Sequence, residues 1–422
     1  MTRSDGPRSS ESPEPDDPMI VSVREHAAEH LERAVAMRRE IHRWPELGNE
    51  LPKTRETVLA EIEDLPLDVT LHESTSGIAA MLEGARPGPT ILLRGDMDAL
   101  PMPEDTGLEF ASEVDGCMHA CGHDTHTAML ATAARVLSER RDEIAGRVLF
   151  MFQPGEEGHH GAKFMLEEGL LDVAPMSDGT ESQVDAAFAI HITSSLPTGF
   201  VSTKAGAVMA SADTLRIRVT GRGGHASEPH RAVDPIPVAC EIVTALQAMI
   251  TRSIDVFDPA VLTVGRISAG TTVNVIPETA DVLGTIRAVS ESTRAKVHDG
   301  VKRVAEGIAA AHGCGAEAVI EYGYPVTTNH DEFADFSFGL AGEVAGHDAA
   351  IRLPNPVMGA EDFSYVLHER PGAMVFLGGT PRDSDLSKAA PNHSNRVFFD
   401  ESAMGTGIAL YTAAALRHLA PA

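Results

Sequence analysis

The stretch TILLRGDMDALP (90–101) joins a short apolar strand, ILL, to a burst of charge. It delivers Arg94, Asp96 and Asp98 at the strand's C-terminal end, the edge at which α/β folds build their sites. Two later runs repeat the pattern. RVLFMFQP (147–154) reads as a buried strand that ends at Pro154-Gly155-Glu156-Glu157, and VDAAFAIH (184–191) as another that ends at His191. Between the first and second lies a helix at about 124–139, with Met129, Leu130, Ala133 and Val136 on one face. Strand, helix, strand, with ligand-type residues at three strand ends, predicts an α/β domain carrying a site along one sheet edge.

Upstream, GIAAMLEG (77–84) is strand-like, and Val23, Ala27, Leu31, Ala34, Met37 and Ile41 space a helix over 23–43 that Trp44-Pro45 ends. Residues 1–18 carry Pro, Ser and acids with almost no apolar residue and read as a disordered tail, with Met19 an alternative start. The middle of the chain changes character. DTLRIRVTG (213–221) alternates as a half-solvated strand does. A helix follows at about 235–252, then strand-like PAVLTVGRIS, TTVNVIP and TADVLGTIRAV, then a helix at about 291–312. This order suggests a small α+β sandwich inserted into the larger domain. The boundaries expected are 19–207 and 318–422 for the larger domain and 208–317 for the insertion. After Ala318 the first pattern resumes: strand VIEYGY, helix 331–345, loop MGAED, strand MVFLGG and a closing helix at about 401–418.

The 422 residues are 43% hydrophobic and 23% charged, a globular composition. No apolar run reaches the ~18 residues of a membrane span. With 34 Lys and Arg against 62 Asp and Glu, the net charge of −28 disfavours nucleic acid and anionic membrane as partners. Of the basic residues 28 are Arg and six Lys, which fits either a salt-adapted host or an Arg-biased, GC-rich genome. Cys117, Cys121, Cys240 and Cys314 form no compact disulfide framework, and no secretory signal is evident, so a reducing cytoplasm is expected.

The densest chemistry is CMHACGHDTH (117–126), with two Cys, three His and one Asp. Thiolate, imidazole and carboxylate are the ligand set of Zn²⁺ and Mn²⁺. Cys121 and His123 flank a Gly, so one turn could aim both at an ion, with Glu156, Glu157 and His191 supplying the remainder from strand ends. Any one of these residues alone is more often structural, and Cys117 keeps that plain reading. Adjacent glutamates in a pocket need a cation or a proton. A metal allows one carboxylate to hold the ion while the other serves as general base toward water. A thiol nucleophile, Cys121 beside His123, is the rival reading, and chelation would spare it.

RGDMDALP (94–101), MHACGHDTH (118–126), QPGEEG (153–158), GRGGHASEPH (221–230), NVIPE (274–278), GTIR (284–287) and MGAEDFS (358–364) together resemble one family. It is the bacterial and plant N-acyl-amino-acid amidohydrolases, including hippurate and auxin-conjugate hydrolases, within the aminoacylase/carboxypeptidase superfamily of two-metal peptidases. The motifs occur in the family's order over about residues 40–400. The resemblance implies a zinc-peptidase-like catalytic domain with a central mixed sheet flanked by helices, plus an inserted lid that dimerises. It implies two divalent ions, Mn²⁺ or Zn²⁺, held by Cys121, His123, Glu157, His191 and His393, with Cys121 shared between them. Glu156 matches the general base and Asp98 the carboxylate that orients a ligand His. Asp96 stands where other branches place a ligand His. His225 would reach a partner subunit's site to hold the oxyanion, Asn274 would add a polar contact, and Arg287 would grip the substrate carboxylate. Gly359 would offer backbone to that carboxylate, Glu361 would organise its loop, and Pro229 and His230 would shape their turn. His159 and His160 read as surface histidines.

The expected function is therefore metal-dependent hydrolysis of an N-acyl-L-amino acid to a carboxylic acid and an amino acid, by a homodimer. Alternatives with the same chemistry are a dipeptidase, a carboxypeptidase or an N-acetyl-diaminopimelate deacetylase. A catalytically inactive binding relative is an alternative of another class.

Overall fold

The computed structural model describes residues 17–420. Of the expected tail only Asp17 and Pro18 lie within that range, and they open a helix: the Asp17 carboxylate accepts a hydrogen bond from the Met19 N–H (2.8 Å) and Pro18 takes the first turn. The single helix expected over 23–43 is two, Pro18–Glu29 and Leu31–Arg43, separated at His30, whose N–H still reaches the His26 carbonyl.

An eight-stranded mixed sheet organises the larger domain. Its order is Asp68–Leu71, Ile78–Glu83, Ala145–Gln153, Arg86–Asp96, Val184–Pro197, Gly372–Thr380, Val201–Thr203 and Ala350–Arg352. The middle strands, from Ala145–Gln153 to Gly372–Thr380, run parallel. They are covered on both faces, which is why VLFMF and ILL are unbroken apolar runs. One face carries His123–Glu139 and Ala403–His418, packed on each other, with the two N-terminal helices outside them. From Arg86–Asp96 the chain crosses by His123–Glu139 to one neighbouring strand and later returns to the other. A crevice opens outside the strand ends at such a reversal, and there Asp96, Asp98 and Glu156 gather. The third strand does not stop at His191. It continues to Pro197 because Gly372–Thr380 keeps pairing with it after Arg86–Asp96 has ended.

The insertion is a four-stranded antiparallel sheet in the order Ala260–Ala269, Thr279–Ala288, Asp213–Thr220, Gly315–Tyr322. Helices Pro235–Ser253 and Glu291–Ala311 cover one face. Asp213–Thr220 alternates buried and exposed along its whole length, as its sequence implied. Two expectations need correction. The strand containing VIEYGY belongs to this sheet, paired to Asp213–Thr220, so the return to the larger domain falls after Tyr322 rather than at 317. TTVNVIP is strand only at Val275–Ile276, in a two-stranded ribbon with Gly224–His225; Pro277, without an N–H, cannot extend the ladder.

Candidate active site

Gly122 sets up the site. It has φ +90°, and a Cβ there would lie 2.4 Å from Ile192 Cγ2, so neither the backbone nor the space admits another residue. The turn places Cys121 beside His123, the first residue of its helix. Beneath the turn, buried Asp124 receives Arg38 Nε at 2.6 Å and His42 Nδ1 at 2.8 Å. Helix Leu31–Arg43, which carries both Arg38 and His42, thus anchors the CGHD turn.

The expected ligand residues converge. Cys121 Sγ lies 3.3 Å from His191 Nε2 and 3.3 Å from His393 Nε2, and His393 Nε2 lies 3.1 Å from Glu157 Oε1. Donor atoms of Cys121, His123 and His191 lie within 4.8 Å of one another, as do those of Cys121, Glu157 and His393. Cys121 belongs to both groups. His191 Nδ1 donates to its neighbour's carbonyl, Ile192 O (2.6 Å), and His123 Nδ1 to Asp98 O (2.9 Å), so each ring turns Nε2 and its lone pair toward the shared space. His123 Nε2, Asp96 Oδ2 and Glu157 Oε1 are buried against other charged groups: Asp96 Oδ2 lies 2.6 Å from Arg94 Nη1 and 3.4 Å from His123 Nε2, and Glu157 Oε1 lies 3.1 Å from His393 Nε2. Buried sulfur, nitrogen and oxygen donor atoms converging around one shared thiol fit two divalent cations.

His393 approaches from a loop with φ +67°, a conformation that costs a non-glycine residue strain. Its N–H donates to Ala120 O (2.9 Å). Asn392 holds the loop by donating to Cys121 O and Ile192 O and accepting from Ser194 N–H. Asp98 stands behind the pair of glutamates: Oδ1 accepts from Glu156 N–H and Oδ2 from Glu157 N–H, both at 2.9 Å, and Oδ1 lies 3.4 Å from His123 Nδ1. Asp96 is wedged between Arg94 (2.6 Å), His126 (2.6 Å) and His123 (3.4 Å). His126 Nε2 accepts from Ile192 N–H, which fixes its other nitrogen as the donor to Asp96.

Burial, with Glu361, Glu157 and Asp362 close by, pushes the Glu156 carboxyl well above the usual range. Burial works on Glu157 too, but the His393 hydrogen bond and the His123 charge hold it below. Burial and the neighbouring His126 keep His191 neutral, as a ligand must be. Glu361 lies 2.8 Å from Arg94 Nη2 and accepts from Phe363 N–H, so it organises its loop as expected.

These groups open into a cavity of about 680 Å³ that also takes in Arg287 and Gly359. The Arg287 guanidinium has no hydrogen bond or ion pair among the described residues. Leu196, Met209, Leu353, Val357 and Phe376 give the cavity an apolar wall. His225 and Asn274 do not line it. They lie together on the exposed ribbon of the insertion, where Ala226 N–H donates to Asn274 O. Pro229 and His230 form a short helical turn beside it. Cys117 is buried and donates to Pro45 O, with burial pushing its thiol up to about 11. His159 is exposed, whereas His160 is not the surface residue expected: it is half-buried, with its ring against Tyr324 and Nδ1 3.0 Å from the Tyr365 hydroxyl. Sequence reasoning missed Tyr324 and Asn392. Asn392 adjoins His393, and the only signal for Tyr324 is its place directly after the insertion.

The sequence profile of Peptidase family M20/M25/M40 matches residues 92–417. Thermostable carboxypeptidase 1 of Saccharolobus solfataricus is 37% identical over 88% of this chain and 92% of its own length. N-acetylcysteine deacetylase of Bacillus subtilis is 38% identical over 82% and 88%. A solved Bacillus subtilis protein described as a dinuclear metal binding peptidase from the M20 family superposes with a TM-score of 0.78 at 32% identity, covering 93% of this chain and 99% of that one. The shared fold, the paired donor groups around Cys121 and these matches agree: the chain belongs to peptidase family M20/M25/M40, whose members hydrolyse amides with bound metal.

Proposed function

We propose that the amide cleaved is that of an N-acyl-L-amino acid, with a carboxylic acid and an amino acid as products. The observation that carries this is the pairing, in one cavity, of a buried carboxylate beside a two-cation donor set with an unpartnered guanidinium, Arg287. A planar guanidinium matches an α-carboxylate, and an apolar wall suits a neutral acyl group.

Cys121, His123, Glu157, His191 and His393 would hold the two ions, Mn²⁺ or Zn²⁺, Cys121 belonging to both donor groups, and Asp98 would orient His123. The bound ions would supply Lewis acidity at the acyl carbonyl. Glu156 is the general base. Its N–H is held by Asp98 and its carbonyl by the Tyr324 hydroxyl, while its carboxylate makes no hydrogen bond among the described residues. A raised pKa suits a group that takes a proton from the attacking water and returns it to the leaving amine nitrogen. Gly359, which also lines the cavity, would offer its backbone to the substrate carboxylate.

We further infer a homodimer through the insertion. Its edge strand Ala260–Ala269 exposes Val261 and Ile267, and Phe257 beside it is 94% exposed; a sheet edge of this kind invites pairing with another copy. The ribbon bearing His225 and Asn274 does not line the chain's own cavity, and nearby Val273 is 99% exposed. In a dimer it can serve the other subunit's site, where His225 would stabilise the oxyanion. No helix of the described residues is long and apolar enough to cross a membrane. The cytoplasm is the proposed location, and the reading rests on four free cysteines, which suit a reducing compartment.

The test is amino-acid release from N-acetyl, N-benzoyl and indole-acetyl amino acids, with Mn²⁺ or Zn²⁺ and with chelator. Metal-dependent release is expected. No release by folded, metal-loaded protein would refute the reading and turn attention to peptides.

A further inference from the structure

Tyr324 lies where the chain re-enters the larger domain, two residues after the last strand of the insertion. The outgoing crossing, Ala210-Ser211-Ala212, runs beside it, and its three residues tie together three parts of the cavity. Ala210 N–H donates to Val357 O and Gly359 O, at 3.0 and 2.9 Å. Ser211 N–H donates to Ala288 O (2.8 Å) and its hydroxyl accepts from Ala288 N–H, next to Arg287. Ala212 N–H donates to Tyr324 O at 3.0 Å. The crossings are so close that a Cβ on Gly323 would meet Ala212 O at 2.1 Å. Asp213 locks the knot to the insertion, accepting from Arg294 at 2.6 and 2.9 Å, from His298 at 2.7 Å and from Gly323 N–H at 3.1 Å.

From this knot the Tyr324 side chain reaches the other domain. Its hydroxyl donates to Glu156 O and accepts from Gly158 N–H at 2.8 Å. The ring is 7% exposed and stands edge-on to His160 at 4.9 Å. Burial near Asp362 and Glu156 raises the phenol's pKa, so it stays a donor at neutral pH. One side chain thus connects the residues that would sense a bound carboxylate to the backbone of the general base.

We infer that Tyr324 is a positioning residue that couples the seating of the insertion on the substrate carboxylate to the placement of Glu156. The inference rests on the proposed roles of Arg287 and Glu156. A carboxylate drawn in by Arg287 moves or stiffens the Thr279–Ala288 strand. The knot passes this to Tyr324, and its hydroxyl fixes the Glu156–Gly158 loop in its working position.

The experiment is Tyr324→Phe in the full-length, metal-loaded protein, assayed on N-benzoylglycine and on the carboxylate-free analogue N-benzoylglycinamide. Wild-type turnover of N-benzoylglycine tests the functional reading; the variant tests the coupling. The expected result is a loss in kcat of tenfold or more on N-benzoylglycine, less than a threefold change in KM, unchanged metal stoichiometry, and a clearly smaller loss on the amide. Equal losses on both substrates would mean a merely structural role and overturn the inference, as would full activity. A second measurement leaves Tyr324 in place. In Glu156→Gln protein, amide hydrogen exchange over residues 156–160 should slow on binding N-benzoylglycine and not on binding N-benzoylglycinamide. The same response to both ligands, or to neither, would also overturn it.

Discussion

Replacing Asp98 by Asn tests how the glutamate pair is held. The carboxylate divides its two oxygens between Glu156 N–H and Glu157 N–H, both at 2.9 Å, while Oδ1 also lies 3.4 Å from His123 Nδ1. An amide of the same shape has one oxygen. Whichever way it turns, one backbone N–H faces an NH₂ donor and is left buried and unpaired, at about 1–3 kcal/mol. The loss falls on the loop carrying both glutamates and on the orientation of His123. Outer partners of this kind are worth roughly 10–100-fold in metal affinity, or about 1.4–2.7 kcal/mol, which matches the cost of one orphaned donor. Competition with a chromophoric chelator, read as a shift in apparent Mn²⁺ or Zn²⁺ affinity, measures it, with kcat followed at saturating metal. Asp98→Ala, which leaves both N–H groups without a partner, should fall further. Affinity and kcat within twofold of wild type for Asp98→Asn would refute the argument that this carboxylate holds the loop.

Glu156→Gln should lower kcat by about 10²–10⁴-fold, the range for a general base, with metal stoichiometry intact by atomic absorption. Arg38→Ala should destabilise the protein by about 3–5 kcal/mol, because it strands the fully buried Asp124 without its guanidinium; urea denaturation checks it. At the crossing, burial opposes ionisation of Asp213, but His298 and Arg294 hold its carboxyl at about 2. A folded pKa below the unfolded one gives stability that is complete above about pH 4 and lost as pH falls toward 2. The gap in stability between wild type and Asp213→Asn should therefore be flat above pH 4 and close below it, in denaturation curves taken across that range. Finally, metal binding at neutral pH should release protons, because Cys121 binds as a thiolate and His123 and His393 as neutral imidazoles. Asp96 raises His123 against its burial, burial raises the Cys121 thiol, and Cys121 and Glu157 beside it raise His393 to about 10, so all three must lose protons to bind an ion. Calorimetry in two buffers of different ionisation enthalpy measures the number.

Most of the sheet, and the gathering of candidate ligand residues at its strand ends, were legible because each rests on local pattern, while the ligand set itself came from resemblance. Buried parallel strands are continuous apolar runs, and the residues at their ends are fixed by register, so Asp96, Asp98 and Glu156 could be placed from ILL and VLFMF alone. What escaped was decided by distant partners. His191 reads as a strand end because polarity begins there, yet Gly372–Thr380, remote in sequence, carries the strand on to Pro197. VIEYGY looks like any half-exposed strand, and only its pairing with Asp213–Thr220 assigns it to the insertion. Tyr324 carried no motif because its role depends on two crossings more than a hundred residues apart in sequence. His393 was placed by resemblance alone, since a loop histidine has no periodicity to read.

The charge around Glu156 shows why these pieces occur together. Asp96, Glu156, Glu157, Glu361 and Asp362 sit in or beside the site, and Arg94 is the one fully buried guanidinium among them. Arg94 spreads its contacts over Asp96, Glu361 and Asp362, with Gln153 holding its Nε. It cannot also neutralise the glutamate pair. In the absence of further positive charge the surplus must be relieved by protons, and Asp362 is accordingly pushed up to about 8 by burial and the nearby Glu361. Two divalent ions at the Cys121-centred donor groups would supply the missing charge where the surplus lies. That frees Glu156 to cycle a proton during turnover instead of holding one permanently. On this account the RGDMD and GAED segments are one electrostatic unit: Arg94 holds Asp96 ionised against its burial, and bound cations would set how strongly Glu156 holds its proton.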